Sequence, residues 1–362
     1  MKPRPSHWVL HDFLQVNGGA EHLVIALARG LRGFGLGVSG LYKGFSSTGE
    51  LGDLHCEVTG GMALCLPRVA RALYAFSTGP SFVANARCVI YSGIYAPLAV
   101  GHQRTGKKIY YCHTPPRFAF DRTDEYLNRV PTFLHGCFQA VVSLYRQKYL
   151  EALHRMDDVV VNSEHVRARL LTLTGIESQI IYPPIATEFF KHRGDAGYFL
   201  SVARLEPAKR VDRIVRAFLE MPEQKLVIAS GGSQYEAIKA LARGAPNIQF
   251  TGWVTDNERY DLVGRARAVI YVPADEDFGM SAVEAMAAGK PVIGVAEGGV
   301  PESVLHAQTG FLLAADPSPR DIAAAVQAIS PQVAQRMQSC CEMRAADFST
   351  DRFLSSFRAL VD

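Results

Sequence analysis

The stretch Ala268-Val269-Ile270-Tyr271-Val272, followed by Glu276-Asp277-Phe278-Gly279-Met280-Ser281-Ala282-Val283-Glu284 and closed by Gly289-Lys290-Pro291, decides the fold class. The apolar run predicts a buried strand. Ala, Met and Val recurring on one face predict a helix, with Gly289 and Pro291 as its stop signals. Glu276 then sits on the loop leaving a strand, Gly279 lets the backbone approach a ligand, and Ser281 is a plausible N-cap. The N–H groups of Phe278 to Ser281 would face an anion. Glu284 lies one turn into the helix and can point back at the same place. Ligands of open α/β sheets bind there, outside the carboxyl end of a strand. The competing reading of such a pair is an acidic residue favouring the helix dipole plus a solvated helix glutamate.

Outward from this unit the same alternation recurs. Strands are predicted at residues 198–202, 225–229, 248–250, 291–295 and 310–313, and helices at 211–219, 235–242 and 258–266. The tail, 321–330 and 331–361, reads as helical. Before Pro183-Pro184 the cycle runs through strands at 8–12, 37–42, 88–91, 108–112, 159–162 and 179–182. Helices are predicted there at 23–31, around 68–76 and at 132–154. Alternation of this kind predicts parallel sheets covered by helices on both faces. The Pro-Pro dipeptide is a sensible hinge. The fold class expected is α/β: two Rossmann-like domains facing each other across a cleft.

A chain of 362 residues exceeds the ~250–300 at which single cores stop growing, which supports two domains. A 48% hydrophobic, 20% charged composition is ordinary for such a protein. No apolar stretch reaches the ~18 residues needed to span a bilayer, and residues 1–12 lack a secretory apolar core. Seven cysteines show no C-x-x-C and no metal spacing. Together these predict a cytoplasmic chain with free thiols. The net charge of +3 hides an asymmetry: residues 1–183 carry 19 Lys+Arg against 13 Asp+Glu, and residues 184–362 carry 19 against 22. A basic first half could meet an anionic membrane surface or acceptor, or be a solvated basic surface. The segment 63–76, with Arg68 and Arg71 among apolar residues, is the candidate membrane surface. No nucleic-acid-binding signature is present, so no nucleic-acid partner is expected.

Candidate binding residues cluster after predicted strands. Arg204 and Lys209, in Ser201-Val-Ala-Arg204-Leu-Glu206-Pro-Ala-Lys209-Arg210, suit a diphosphate, Arg as a fork and Lys as a point charge. A solvated basic loop is the alternative. Gly231-Gly232, Gly252 and Glu297-Gly298-Gly299-Val300-Pro301-Glu302 follow other strands, and together imply one nucleotide-sized site. Gly18-Gly19 precedes a helix without the G-x-G-x-x-G dinucleotide fingerprint. It could cradle a phosphate, leave room for a sugar, or make a plain tight turn. His113, in Tyr110-Tyr111-Cys112-His113-Thr114-Pro115-Pro116-Arg117, stands at a strand's carboxyl end, where it can hydrogen-bond a sugar hydroxyl. Arg117 and Asp121 could pair with each other, or one could meet an acceptor.

In their order and spacing these segments resemble the retaining glycosyltransferases of family 4, of the GT-B fold, over nearly the whole chain. Tyr110 to Arg117, Val-Asn-Ser-Glu-His-Val at 161–166 and Tyr182-Pro-Pro are similar to the bacterial branch using GDP-mannose in O-antigen and exopolysaccharide synthesis. The resemblance implies an acceptor-binding domain over 1–183, a donor-binding domain over 184–345 and a C-terminal helix, 346–362, packing back on the first. It implies that Arg204 and Lys209 hold the donor diphosphate. It also puts Glu284 on the ribose and Glu276 on the sugar, the latter with the amides of Phe278, Gly279 and Met280. His113 would contact the sugar, Gly18 and Gly19 the phosphate, and the base would lie near Gly232 and Val254. The family needs no metal, and its acceptors are lipid-linked or polysaccharide, which fits a peripheral protein at the inner face of the cell membrane. Asp277 departs from the family pattern, where Gly is common, so the loop is expected to be stiffer or to meet the sugar differently.

The resemblance also implies retention by front-face attack, the leaving phosphate taking the acceptor's proton, since no carboxylate is clearly placed as a nucleophile. Transfer from a UDP-sugar, a sugar-nucleotide epimerase and a non-catalytic nucleotide-sugar-binding protein are the competing functions. The missing glycine fingerprint and ribose acid count against a dehydrogenase.

Overall fold

In the computed structural model, residues 5–15, 18–42, 51–59 and 67–361 are described. The chain divides into two compact units. The first runs to Tyr182 and takes back the chain from Phe353 onward, and the second spans Pro183–Arg352.

The first unit holds seven parallel strands: β1 (His7–His11), β2 (Phe34–Val38), β3 (Cys56–Val58), β4 (Cys88–Ser92), β5 (Lys107–Cys112), β6 (Asp158–Val161) and β7 (Gln179–Ile180), in the order β3-β2-β1-β4-β5-β6-β7. Side-chain alternation sends Val9, Ile90, Ile109 and Tyr111 to one face. There they pack with Leu23, Val24 and Leu27 of the helix Gly19–Gly30 and with Phe353 and Phe357 of the last helix, Thr350–Val361. Trp8, Leu10, Tyr91 and Tyr110 go to the other face, against Tyr145 and Tyr149 of the helix His135–Leu153. A parallel sheet covered on both faces needs such near-continuous apolar strands.

The second unit holds six: β8 (Tyr198–Ser201), β9 (Lys225–Ile228), β10 (Ile248–Phe250), β11 (Ala268–Ile270), β12 (Val292–Val295) and β13 (Gly310–Leu313), in the order β10-β9-β8-β11-β12-β13, again all parallel. The helix Val211–Leu219 buries Val211, Ile214, Val215 and Phe218. Each large side chain so buried contributes about 1.5–3 kcal/mol.

Several sequence expectations shift. β2 is Phe34–Val38, three residues before the predicted 37–42. The helix predicted at 258–266 starts at Asp256, because Thr255 and Glu258 form a reciprocal capping box. Ser281 is not the N-cap: Gly279, in left-handed geometry, precedes the helix Met280–Ala287 and Ser281 is its second residue. The tail predicted as one helix over 331–361 breaks between Pro331–Ala346 and Thr350–Val361. The helix Glu164–Thr174 and the strand β3 had no sequence counterpart. Of the candidate membrane surface at 63–76, residues 63–66 lie outside the described residues, and the helix Arg68–Thr78 buries Arg71, Ala72, Ala75 and Phe76 while Arg68, Val69 and Tyr74 stay exposed.

Candidate active site

In the second unit the strand order departs from β8 in both directions, so β8 and β11 border the point where it reverses. Loops leaving the carboxyl ends of two such strands diverge, and ligands bind between them. Arg204 and Lys209 follow β8, and Glu276 follows β11. Lys209 ends a short 3-10 turn, Pro207–Lys209, and its Nζ donates to Glu276 Oε2 and, at 3.4 Å, to the hydroxyl of Tyr271. The Tyr271 side chain is buried. Burial first, and then the neighbouring carboxylate of Glu276, hold its hydroxyl protonated far above the ordinary range, with the charges of Glu284 and Arg204 also acting on it. Lys209 thus bridges Glu276 and the Tyr271 hydroxyl.

The Glu276 loop is braced by the segment after β12. Gly299 N–H donates to Glu276 O at 2.8 Å, and a Cβ on Gly298 would sit 2.4 Å from that same oxygen. Below it, Glu297 accepts from Arg210 Nη1 at 2.8 Å and from the Asp275 N–H at 2.9 Å. Asp275 is held at φ 50°, in the left-handed region that Asp tolerates better than most non-glycine residues. Phe278 turns its ring into the core against Phe348, 5.3 Å between centroids. Met280 opens the helix.

Glu284 lies in mid-helix and is held by Arg259, whose Nη1 is 2.9 and 3.0 Å from its two oxygens. Arg259 is itself laid over Phe190 and Tyr260. Gly232, at φ 154°, admits the backbone of Leu205, which a Cβ would meet at 2.5 Å, so this glycine joins the loops after β9 and β8. Beside it the exposed indole of Trp253 stands against Gly231, next to the half-buried Val254.

In the first unit β1 and β4 border the corresponding reversal. Ser92 ends β4 directly opposite His11 on β1, and His113 follows β5. Ser92 Oγ lies 3.1 Å from His11 Nδ1 and 2.8 Å from His113 Nε2. Burial pulls the His11 pKa down to about 4, and burial with the adjoining His11 pulls that of His113 down to about 3. Both rings are neutral at pH 7. Asn162 Nδ2 donates to His113 O at 2.9 Å and fixes the loop. The Asp12 carboxylate accepts the N–H groups of Ile94, Tyr95 and Ala96, each at 2.8 Å. Gly18 caps the helix Gly19–Gly30 with ordinary extended geometry, and Asn17 before it lies outside the described residues. Arg117 and Asp121 pair with each other, Nε 3.0 Å from Oδ2.

The second unit thus collects Arg204, Lys209, Glu276 and Glu284, and the first presents His113. Tyr271, Arg259, Trp253, His11 and Ser92 were not among the sequence candidates. Tyr271, His11 and Ser92 lie at strand ends beside the reversals, a signal readable only once strand order is known. Arg259, inside a helix, gave none.

A fold of two Rossmann-like units with a cationic strand-end site belongs to the GT-B class. Residues 185–338 match the family described as Glycosyl transferases group 1. The chain is 25% identical to the alpha-1,3/1,6-mannosyltransferase ALG2 of Homo sapiens, over 87% of this chain and 85% of that one. It is 27% identical to the ALG2 of Dictyostelium discoideum, over 98% and 97%. The Anabaena HepE structure in complex with UDP and glucose covers 99% of each chain with a TM-score of 0.74 at 18% identity. The sucrose-phosphate synthase of Thermosynechococcus elongatus gives a TM-score of 0.75 at 16%, over 98% of this chain and 97% of that one. The chain is a glycosyltransferase.

Proposed function

We propose that the enzyme is a retaining mannosyltransferase of family 4 that moves mannose from GDP-mannose to a hydroxyl of a lipid-linked or polysaccharide acceptor. The relatives named mannosyltransferases, matched over most of both chains, support the sugar. The observation that carries the site is the Lys209–Glu276 pair against Tyr271, on the strand-end loop that also carries Arg204. A cation held in place before the donor arrives is what a departing diphosphate requires. In this reading the diphosphate takes Arg204 and the ammonium of Lys209. Glu276, with the amides of Phe278, Gly279 and Met280, meets the mannose. Glu284 holds the ribose, the base lies towards Val254 and Trp253, and Gly18 and Gly19 approach the phosphate. His113 contacts the sugar. The acceptor oxygen bonds to C1 as the C1–O bond to phosphate breaks, and the acceptor's proton passes to the departing phosphate oxygen.

No helix among the described residues is long and apolar enough to cross a membrane. Peripheral attachment is supported by the helix His135–Leu153 and the turn before it, which expose Phe133, Val141 and Leu144. Between Tyr126 and Leu150 the sequence carries Arg129, Arg146 and Lys148 and no carboxylate, which suits an anionic bilayer. Val141→Glu with Leu144→Glu should abolish sedimentation with phosphatidylglycerol vesicles while leaving folding intact.

The activity test incubates the protein with GDP-mannose or a UDP-sugar and a lipid-linked acceptor, and follows nucleoside diphosphate release and the anomeric configuration of the product. GDP release with retained configuration, lost in Glu276→Ala, is expected. Turnover of the UDP-sugar alone would overturn the donor, and an inverted product the mechanism.

A further inference from the structure

Asp12, Ser39 and Thr59 stand one position beyond paired strand ends, since His11 pairs with Val38 and Val38 with Val58. They form a row across the carboxyl edge of β1, β2 and β3, the edge that also carries His113 after β5. Alternation puts this row on the face of Trp8 and Leu10, which the helix Arg68–Thr78 covers with Ala72 and Phe76. Arg71 of that helix is 9% exposed, and among the described residues its buried Nε–H has no hydrogen-bond partner. The buried hydroxyl of Thr59, a residue 7% exposed, has none either. Gly40, just past β2, leaves the guanidinium its room: a Cβ there would lie 3.6 Å from Arg71 Cζ and 3.2 Å from the Tyr42 ring. One turn earlier, the exposed Arg68 lies over the Phe13 ring, 5.7 Å from its centroid, and donates to Gln15 Oε1. An arginine stays protonated, so its burial leaves a charge that calls for an anion. No carboxylate occurs in the sequence between Glu57 and Asp121. Glu57 has the His55 ring nitrogen 3.3 Å from its Oε1, and Asp12 is filled by three backbone N–H groups.

We propose that Arg71, Thr59 and Arg68 form an anion site that takes a phosphate group of the acceptor. Phosphate oxygens accept several hydrogen bonds at once and bring the missing negative charge. The Arg71 Nε–H and the Thr59 hydroxyl donate to them, and Arg68 adds its charge from the exposed first turn of the helix. The anion site stands on this geometry alone. The acceptor as the source of the phosphate rests on the transfer reading given above, and narrows it to acceptors joined to their lipid through phosphate rather than neutral polysaccharide. The two arginines that made the segment 63–76 a candidate membrane surface thus face a ligand inside the unit instead.

Calorimetric titration of the full-length protein with inorganic pyrophosphate reads the site directly. Saturating GDP and UDP are present, so that the donor's diphosphate site is filled whichever nucleotide it takes. Binding of a single pyrophosphate is expected, and Arg71→Met and Thr59→Val, which keep side-chain volume, should each weaken it by about tenfold or more. Without ligand both variants should melt at or above the wild-type temperature, because each deletes a buried polar group that nothing satisfies. No pyrophosphate binding beside the nucleotides, unchanged affinity in both variants, or a lower melting temperature in Thr59→Val overturns the anion site. The source is read by transfer to a glycan carrying phosphate at its reducing end and to the same glycan without it. Arg71→Met should raise KM for the phosphorylated glycan by about tenfold, with kcat held and KM for the other unchanged. Equal effects on both glycans, or none, refute the acceptor's phosphate while the anion site stands. If no nucleotide sugar is turned over, the transfer reading fails and the pyrophosphate titration still judges the site.

Discussion

The two sheets end alike and are furnished oppositely. In the second unit the loops and helices that follow the strands carry ions already paired: Lys209 with Glu276 and Arg259 with Glu284. In the first unit the ends of β1 and β4 and the loop after β5 carry neutral groups, His11, Ser92 and His113, and beside them a carboxylate, Asp12, capped by three backbone N–H groups. In the proposed reading, the charged leaving group meets the cation of the second unit and a sugar hydroxyl meets the neutral His113 of the first.

The largest effect should come from breaking the charged side. Lys209→Ala removes the cation that Glu276 and Tyr271 hold in place, and should lower kcat/KM by about 10²–10³, roughly 3–4 kcal/mol of transition-state stabilisation. Steady-state kinetics with saturating acceptor checks this. A loss under threefold would mean that Lys209 serves only to neutralise Glu276.

The neutral side should show itself through acid. The folded-state pKa values of His11 and His113, about 4 and about 3, lie below the ordinary 6.5. As pH falls through 6.5 the unfolded chain takes up protons that these buried rings refuse, so their stability contribution is complete above 6.5 and lost towards 4. Asp12 runs the other way. Burial raises it to about 6, so its protonation favours the folded state in the lower part of the same window and offsets one of the two histidines. The net loss between pH 7 and pH 4 should be about 3 kcal/mol. Denaturant midpoints at pH 7, 5 and 4 measure it, His11→Asn should flatten the profile, and constant stability down to pH 5 would refute the burial of both rings as neutral species.

His113→Ala tests the neutral side in transfer. It should lower kcat by about 10²-fold and leave GDP binding nearly unchanged, because the cations belong to the other unit. An equal loss in GDP affinity would erase the division of labour between the two sheets.

Most of this contrast follows from local pattern, and the remainder from strand order. Apolar runs bounded by Gly and Pro reveal β8 to β13 within a residue or two, since buried parallel strands have no other signature. β2 shifts because its glycines, Gly35 and Gly37, count against a strand. They are needed there: a Cβ at either would lie within 3 Å of Trp8 or Leu10. In the site, the charged residues stand out by type and spacing. Tyr271 and Ser92 look like ordinary strand residues until the sheet order puts them beside the reversals. The ion partners are not legible at all, because Lys209 and Glu276 are 67 positions apart and Arg259 and Glu284 are 25 apart.

The Glu276 loop can be loosened without touching its charge. Gly298→Ala places a Cβ at φ 64° and 2.4 Å from Glu276 O, backbone against backbone, where no flexible atom can yield. It should cost roughly 2 kcal/mol of stability and lower activity further than stability explains. Thermal melting beside kcat separates the two, and a neutral effect would show that the loop does not depend on this brace.

The smallest effect should fall on Arg117 and Asp121, which pair with each other. Their forked bond, Nε to Oδ2 at 3.0 Å, joins two partly exposed side chains four residues apart. Solvent screens such pairs, so Asp121→Asn should cost under about 1 kcal/mol, at the upper end because the geometry is bidentate. The sequence left open a contact with the acceptor, and the pair as folded already satisfies both charges. If Asp121→Asn raises acceptor KM severalfold at unchanged stability and unchanged GDP affinity, Arg117 must release Asp121 to meet an acceptor, and the neutral side of the comparison acquires a charge that switches partners. If KM holds, the pair only staples the turn after His113.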